Sequence, residues 1–191
     1  MREPFIKRSF TAKTLLVALW RMMSLLAWSL WAYLFRGIDR QLAEKILLVI
    51  SSVNDCRYCS WFHARLALRS GVDSEQVEQI LHHMLPQDIG ADEQAALRFA
   101  MHYADSYANP DPAELARLGE FYSPCRVKGI RALAAAIHFG NLCGNTFDAF
   151  LSRLRGQAVD NGSLVTETLV FILCAPFLLP VMPRVLRSQG E

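Results

Sequence analysis

From residue 12 onward the chain reads as one helix after another, and that succession restricts it to an all-α fold. Strand-like alternation is scarce, and Asn161-Gly162, a pair that often turns a hairpin, joins two helical stretches. The spacing of apolar residues predicts helices over 12–36, 39–53, 54–71, 73–85, 92–107, 111–122, 124–155 and 164–187. Gly37 and Gly71 are expected to stop the first and third, and Asn54-Asp55 to cap the third. Asp73 with Gln76 has the pattern of a capping box, and Asp111-Pro112-Ala113-Glu114 stacks three start signals. Arg21 interrupts the apolar run of the first helix. The long seventh helix is expected to bend at Gly140 or Gly144, and Pro176, Pro180 and Pro183 to break the last segment.

With 191 residues and no long linker, the chain is read as one domain with flanking additions. An apolar helical extension covers 1–37, the core 38–160, and a C-terminal apolar segment 161–191. Hydrophobic residues make up 52%, above the roughly 45–50% of a soluble domain, so the excess needs a core, an interface or lipid. Residues 14–35 reach membrane-spanning length, but Arg21 and several polar positions argue against a span, as the three prolines do for 164–183. Burial against the domain or a partner subunit is the preferred reading. Peripheral membrane contact through Trp20, Trp28 and Trp31 is the second.

A net charge of +2 gives no basic stripe for nucleic acid. Arg2, Lys7, Arg8 and Lys13 gather at the start and read as a solvated end. Five cysteines are an odd number for a secreted disulfide framework, and Ala32-Tyr33-Leu34-Phe35 is a poor signal-cleavage site. The expected compartment is the reducing cytoplasm, where a close cysteine pair is catalytic or metal-binding more often than structural.

That pair is Cys56 and Cys59, with His63 four residues further on. At 3.6 residues per turn the three share one helix face. A helix N-terminus stabilises an anion, so a thiolate at this pair is expected to have a lowered pKa. Glu44 lies about ten residues before a reversal near Asn54, ~15 Å along its helix, and His63 about nine after it, ~13.5 Å along the next. In an antiparallel pair the two come level, and a carboxylate beside an imidazole can fix its tautomer and raise its basicity.

A Glu, eleven residues, then Cys-x-x-Cys-x-x-x-His resembles the signature of alkylhydroperoxidase D-like proteins of the carboxymuconolactone decarboxylase superfamily. Ser51, Asn54 and Tyr58 fit the usual surroundings, and the likeness covers about residues 38–108. The resemblance implies an all-α, oligomeric helical bundle that reduces hydroperoxides, or protein and small-molecule disulfides, by thiol chemistry. It also implies Cys59 as the attacking thiol, Cys56 as the resolving one, and Glu44 with His63 as proton relay. An external thiol reductant is then a partner and no cofactor is called for. The sequence departs from the best-known members at Tyr58, where they carry His, and in its apolar ends.

The rival from another class is a non-enzymatic helical assembly or membrane-surface protein whose cysteines pack or bind zinc. Cys56, Cys59 and His63 would supply three ligands and Cys125, Cys143 or His138 the fourth. Ser60 stands where c-type haem attachment needs His. Trp61 and Phe62 are expected in the core or a pocket wall, His82-His83 near a helix C-terminus, and His102 in an ordinary setting. His138, Asn141, Asn145 and Asp148 form a polar stripe, read first as interhelical hydrogen bonding and second as pocket lining. Cys125, Cys143 and Cys174 are read as inert buried thiols without close partners.

Overall fold

The computed structural model describes residues 5–159 and 162–188, and among these there are ten α-helices and no strand. In order they are α1 (Ala12–Ser24), α2 (Leu26–Tyr33), α3 (Arg40–Val53), α4 (Arg57–Arg69) and α5 (Ser74–Leu81). There follow α6 (Ala91–Asp105), α7 (Pro112–Phe121), α8 (Pro124–Leu154), α9 (Leu164–Leu178) and α10 (Met182–Ser188).

The bundle is built around α3 and the 31-residue α8. α3 packs against α4, α6 and α8, and ten of its fourteen residues are buried. Its Ile46, Leu48, Val49 and Ile50 meet Leu97, Phe99 and Ala100 of α6 and Ile130, Leu133 and Ala134 of α8 in one core cluster. Acidic caps start three helices, two of them, Asp73 and Asp111, as expected. Asp39 accepts from the Gln41 and Leu42 N–H groups, Asp73 from Glu75 and Asp111 from Ala113.

The expected first helix is two, bent by 59° at Leu25. The Ser24 hydroxyl donates to the Arg21 carbonyl, which takes up a backbone acceptor at the end of α1. α2 then lies on α8, with the Trp31 ring over Gly129 and Gly37; a Cβ at Gly37 would fall 2.5 Å from that ring. Gly37 is therefore a packing glycine, and the left-handed residue of this turn is Arg36, at φ 55°. The third helix is not capped by Asn54 or Asp55. Asn54 ends α3, Asp55 turns the chain at φ 52°, and Cys56 is the N-cap residue of α4. α8 runs without a break through Gly140 and Gly144. Of the C-terminal prolines, Pro176 lies inside α9, Pro180 in the 79° break, and Pro183 in the first turn of α10.

The N-terminal basic residues are not all a solvated end. Lys7 pairs with Asp55 at 3.0 Å, and Arg8 donates to the Asn54 side chain and the Ala104 carbonyl. Phe10 is fully buried, and its N–H donates to the Thr146 hydroxyl. Arg2 and Asn161 lie outside the described residues.

No single described helix is long and apolar enough to cross a membrane. The bent pairs α1–α2 and α9–α10 reach that length and composition only when taken together.

Candidate active site

The site begins with the turn from α3 to α4. α8 fixes this turn by donating side-chain N–H groups to backbone carbonyls at the end of α3: Asn141 to Ile50 and Asn145 to Asn54, at 3.1 and 2.7 Å. Asn141 also accepts from the buried Ser51 hydroxyl, and the Asn54 amide donates to Nδ1 of His138 at 3.2 Å. A nitrogen that accepts must be unprotonated, and burial, with Arg8 and Arg21 nearby, holds the His138 pKa down to about 4. The polar stripe on α8 is thus interhelical bonding aimed at the cysteine turn.

Cys56 follows in extended conformation, and no side chain hydrogen-bonds to the first N–H groups of α4. Cys56 is fully buried and Cys59 partly exposed, and their sulfurs lie 2.8 Å apart in a hydrogen bond between free thiols. Gly144 permits this depth, since a Cβ there would come within 2.7 Å of Cys56 Sγ. The expected low pKa is not found at Cys59. The hydrogen bond with Cys56, burial, and the neighbouring Cys56, Cys143 and Cys174 push it well above the ordinary thiol range. Two sulfurs this close compete for one charge, so the proton stays on Cys59, the more accessible of the two.

Glu44 and His63 do come level. The fully buried Glu44 meets Nδ1 of His63 at 2.8 Å across the α3–α4 interface. The Tyr33 hydroxyl donates to its other oxygen at 2.7 Å and Arg40 pairs with it at 2.9 Å. Burial and Glu44 keep the Tyr33 proton in place by raising its pKa. A neutral imidazole donating through Nδ1 carries its lone pair on Nε2, and His63 sits one turn after Cys59 on the same face.

Tyr58, at the position of the family's His, turns to α8. Its hydroxyl donates to Asp148 at 2.7 Å, Arg57 reaches the same oxygen at 2.5 Å, and its ring meets Phe147 edge-on. Burial and the Asp148 charge raise its pKa, so it remains a donor. Sequence reasoning missed Tyr33, Arg40 and Arg57 as partners of the site's carboxylates. Only the i,i+4 spacing of Arg40 and Glu44 was a signal for them.

The remaining candidates lie elsewhere. Trp61 is partly buried under Arg65 and lines a cleft of about 350 Å³ with Ser60, Ala64, Leu68 and His83, on a side of α4 away from the sulfurs. Phe62 is half exposed rather than core. His82 and His83 are exposed beyond α5, and Nε2 of His102 accepts from the Asp111 N–H. Cys125 is exposed, not buried. Cys143 and Cys174 are not without partners, because both pack against the same apolar cluster between α8 and α9 and lie close enough to shift each other's ionisation. They are 31 positions apart, so only tertiary packing brings them together. Among the described residues no three His, Cys, Asp or Glu side chains converge to hold a metal ion.

Comparison with known proteins adds the lineage. The model of the carboxymuconolactone decarboxylase family matches residues 18–101, from within α1 into α6, a span that includes Glu44, Cys56, Cys59 and His63. No curated protein sequence matches the chain. Two solved structures resemble it at 22% identity and a TM-score of 0.49, over 70% of this chain and 67% of theirs. They are the debrominase Bmp8 without ligand and a cysteine-to-alanine form of it in complex with 2,3,4-tribromopyrrole. Through its helical span 18–101 the chain is similar to the carboxymuconolactone decarboxylase family, within the superfamily that its Glu-and-cysteine signature resembled.

Proposed function

We propose that the protein is a thiol-dependent oxidoreductase that reduces hydroperoxides or disulfides through Cys56 and Cys59. The observation that carries this reading is two free sulfurs 2.8 Å apart at an uncapped helix start, with a Glu44-bound imidazole one turn on. Cys59 is the attacking thiol because it is the more accessible of the two, and its raised pKa makes a base necessary. His63 takes that proton through Nε2, and Glu44 stabilises the imidazolium that forms.

With a hydroperoxide, the Cys59 sulfur attacks the O–O bond, the distal oxygen stays on sulfur as a sulfenic acid, and the alkoxide leaves with the proton. Cys56 then attacks Cys59 and releases water. One hydroperoxide and two thiols give an alcohol, water and a disulfide. With a disulfide substrate the same residues work through a mixed disulfide. An external thiol reductant of the reducing cytoplasm returns two electrons. The exposed apolar faces of α1 and α9 are, in this reading, where copies of the chain assemble.

Separate Cys59→Ser and Cys56→Ser variants test the roles. With tert-butyl hydroperoxide and dithiothreitol, Cys59→Ser is expected to lose turnover at least a hundredfold. Cys56→Ser is expected to retain a sulfenic acid that dimedone labels at Cys59. Full turnover by both variants, on peroxide and disulfide alike, overturns the proposal.

A further inference from the structure

The chain holds a second pair of thiols that the proposed reaction does not use. Cys143 lies on α8 immediately before Gly144, whose backbone is in contact with the Cys56 sulfur. Cys174 lies on α9 between two apolar clusters. One contains Cys56 and is packed by Cys59; the other is formed by Phe10, Leu142 and Val170 and packed by Cys143. Cys174 packs against both, Cys143 and Cys174 share the second, and the two thiols lie close enough to shift each other's ionisation. Both residues are partly exposed, while Cys125, the fifth cysteine, is exposed at the far end of α8. The odd count therefore resolves into two pairs and one single thiol.

We infer that Cys143 and Cys174 form a second redox dithiol that passes electrons to the Cys56–Cys59 disulfide by thiol–disulfide exchange. This rests on the thiol reading of the first pair. Within the second pair Cys174 is the one packed against the cluster that contains Cys56, and the neighbouring thiols divide the roles, with Cys143 keeping its proton and Cys174 ionising more readily than an ordinary thiol. The Cys174 thiolate is thus the attacking group. It displaces one sulfur of the Cys56–Cys59 bridge to give a mixed disulfide, and the displaced sulfur takes up a proton. Cys143 then attacks Cys174, closes the Cys143–Cys174 bridge and releases the first pair as a dithiol. Two electrons and two protons move inward, and no other oxidant or reductant takes part. Pro176 cannot donate a backbone hydrogen bond to the preceding turn, which leaves that part of α9, where Cys174 sits, freer to move.

The test uses full-length reduced protein and tert-butyl hydroperoxide, with no reductant. Thiols are counted after denaturation and bridges assigned by peptide mapping. The wild type is expected to consume about two equivalents and form Cys56–Cys59 and Cys143–Cys174 bridges, leaving Cys125 free. The Cys143→Ser/Cys174→Ser double variant should consume about one equivalent, and Cys143→Ser alone should accumulate Cys174 bridged to Cys56 or Cys59. In Cys56→Ser/Cys59→Ser, oxidation of Cys143 and Cys174 should slow at least tenfold. A Cys56–Cys59 bridge beside permanently reduced Cys143 and Cys174 overturns the relay and leaves the proposed function standing. So does unslowed oxidation of the second pair in Cys56→Ser/Cys59→Ser. If peroxide forms no first bridge, diamide is used to form it. Transfer to Cys143–Cys174 then supports the relay although peroxide reduction has failed, and absence of transfer overturns both.

Discussion

α3 and α1 are of similar length and both rich in apolar residues, yet ten residues of α3 are buried and none of α1. α3 is enclosed by α4, α6 and α8, and even its Glu44 and Lys45 are buried with partners: Glu44 with His63, Tyr33 and Arg40, and Lys45 with Glu93. α1 and α9 instead present Leu16, Trp20, Met23, Ile172, Leu173 and Phe177 to the outside. The difference shows where the chain is self-sufficient. The centre is covered on all sides by its own helices, whereas the flanks pack one side onto α8 and keep an apolar exterior that favours association.

The sharpest way to break the central half is to remove a charge from a buried network. Glu44→Ala strands His63 and Arg40 and should destabilise the protein by about 3–5 kcal/mol, read by urea unfolding. Glu44→Gln, which retains hydrogen bonding, should cost less stability but still slow the reaction of Cys59.

Acid provides the next largest effect. His138 has a folded pKa of about 4, below its ordinary 6.5, so the unfolded chain binds the proton first as pH falls. Its contribution is complete above about pH 6.5 and declines towards pH 4, by about 3 kcal/mol in all. His138→Gln should flatten this part of the stability profile. An unchanged slope would show that His138 is not the group responsible.

Gly144→Ala should cost about 1–3 kcal/mol, because the added methyl meets Cys56 Sγ and α8 must shift. Oxidation of the first pair should also slow, which labelling with iodoacetamide at Cys59 would report. At the other extreme, Trp20→Ser on α1 should change monomer stability by no more than about 0.5 kcal/mol. It should still reduce self-association in sedimentation. Loss of vesicle binding with no change in sedimentation would instead identify lipid as what covers α1.

The sequence made the centre more legible than the flanks, and the reasons are local. Asp39, Asp73 and Asp111 act within one turn of themselves, and the level placement of Glu44 and His63 needs only helix rise and a reversal. Asn54 and Asp55 looked like caps because their side chains suit that position, but the Asn54 amide is taken by His138, 84 positions away. Cys143 with Cys174, Tyr58 with Asp148, and Arg8 with Asn54 are likewise tertiary pairings that no local pattern encodes. The low pKa expected of the pair failed at Cys59 for a related reason. A helix N-terminus contributes a fraction of a charge, and a second sulfur at 2.8 Å outweighs it.

The most direct test of the whole account mixes reduced protein with one equivalent of tert-butyl hydroperoxide at neutral pH and follows the appearance of the intramolecular bridge, in the wild type and in His63→Gln. The account predicts rapid closure of Cys56–Cys59 in the wild type and closure at least tenfold slower in the variant, with the two rates converging as alkaline pH deprotonates Cys59 directly. Equal rates at neutral pH, or sulfurs that remain fully alkylatable after the peroxide is added, would contradict it.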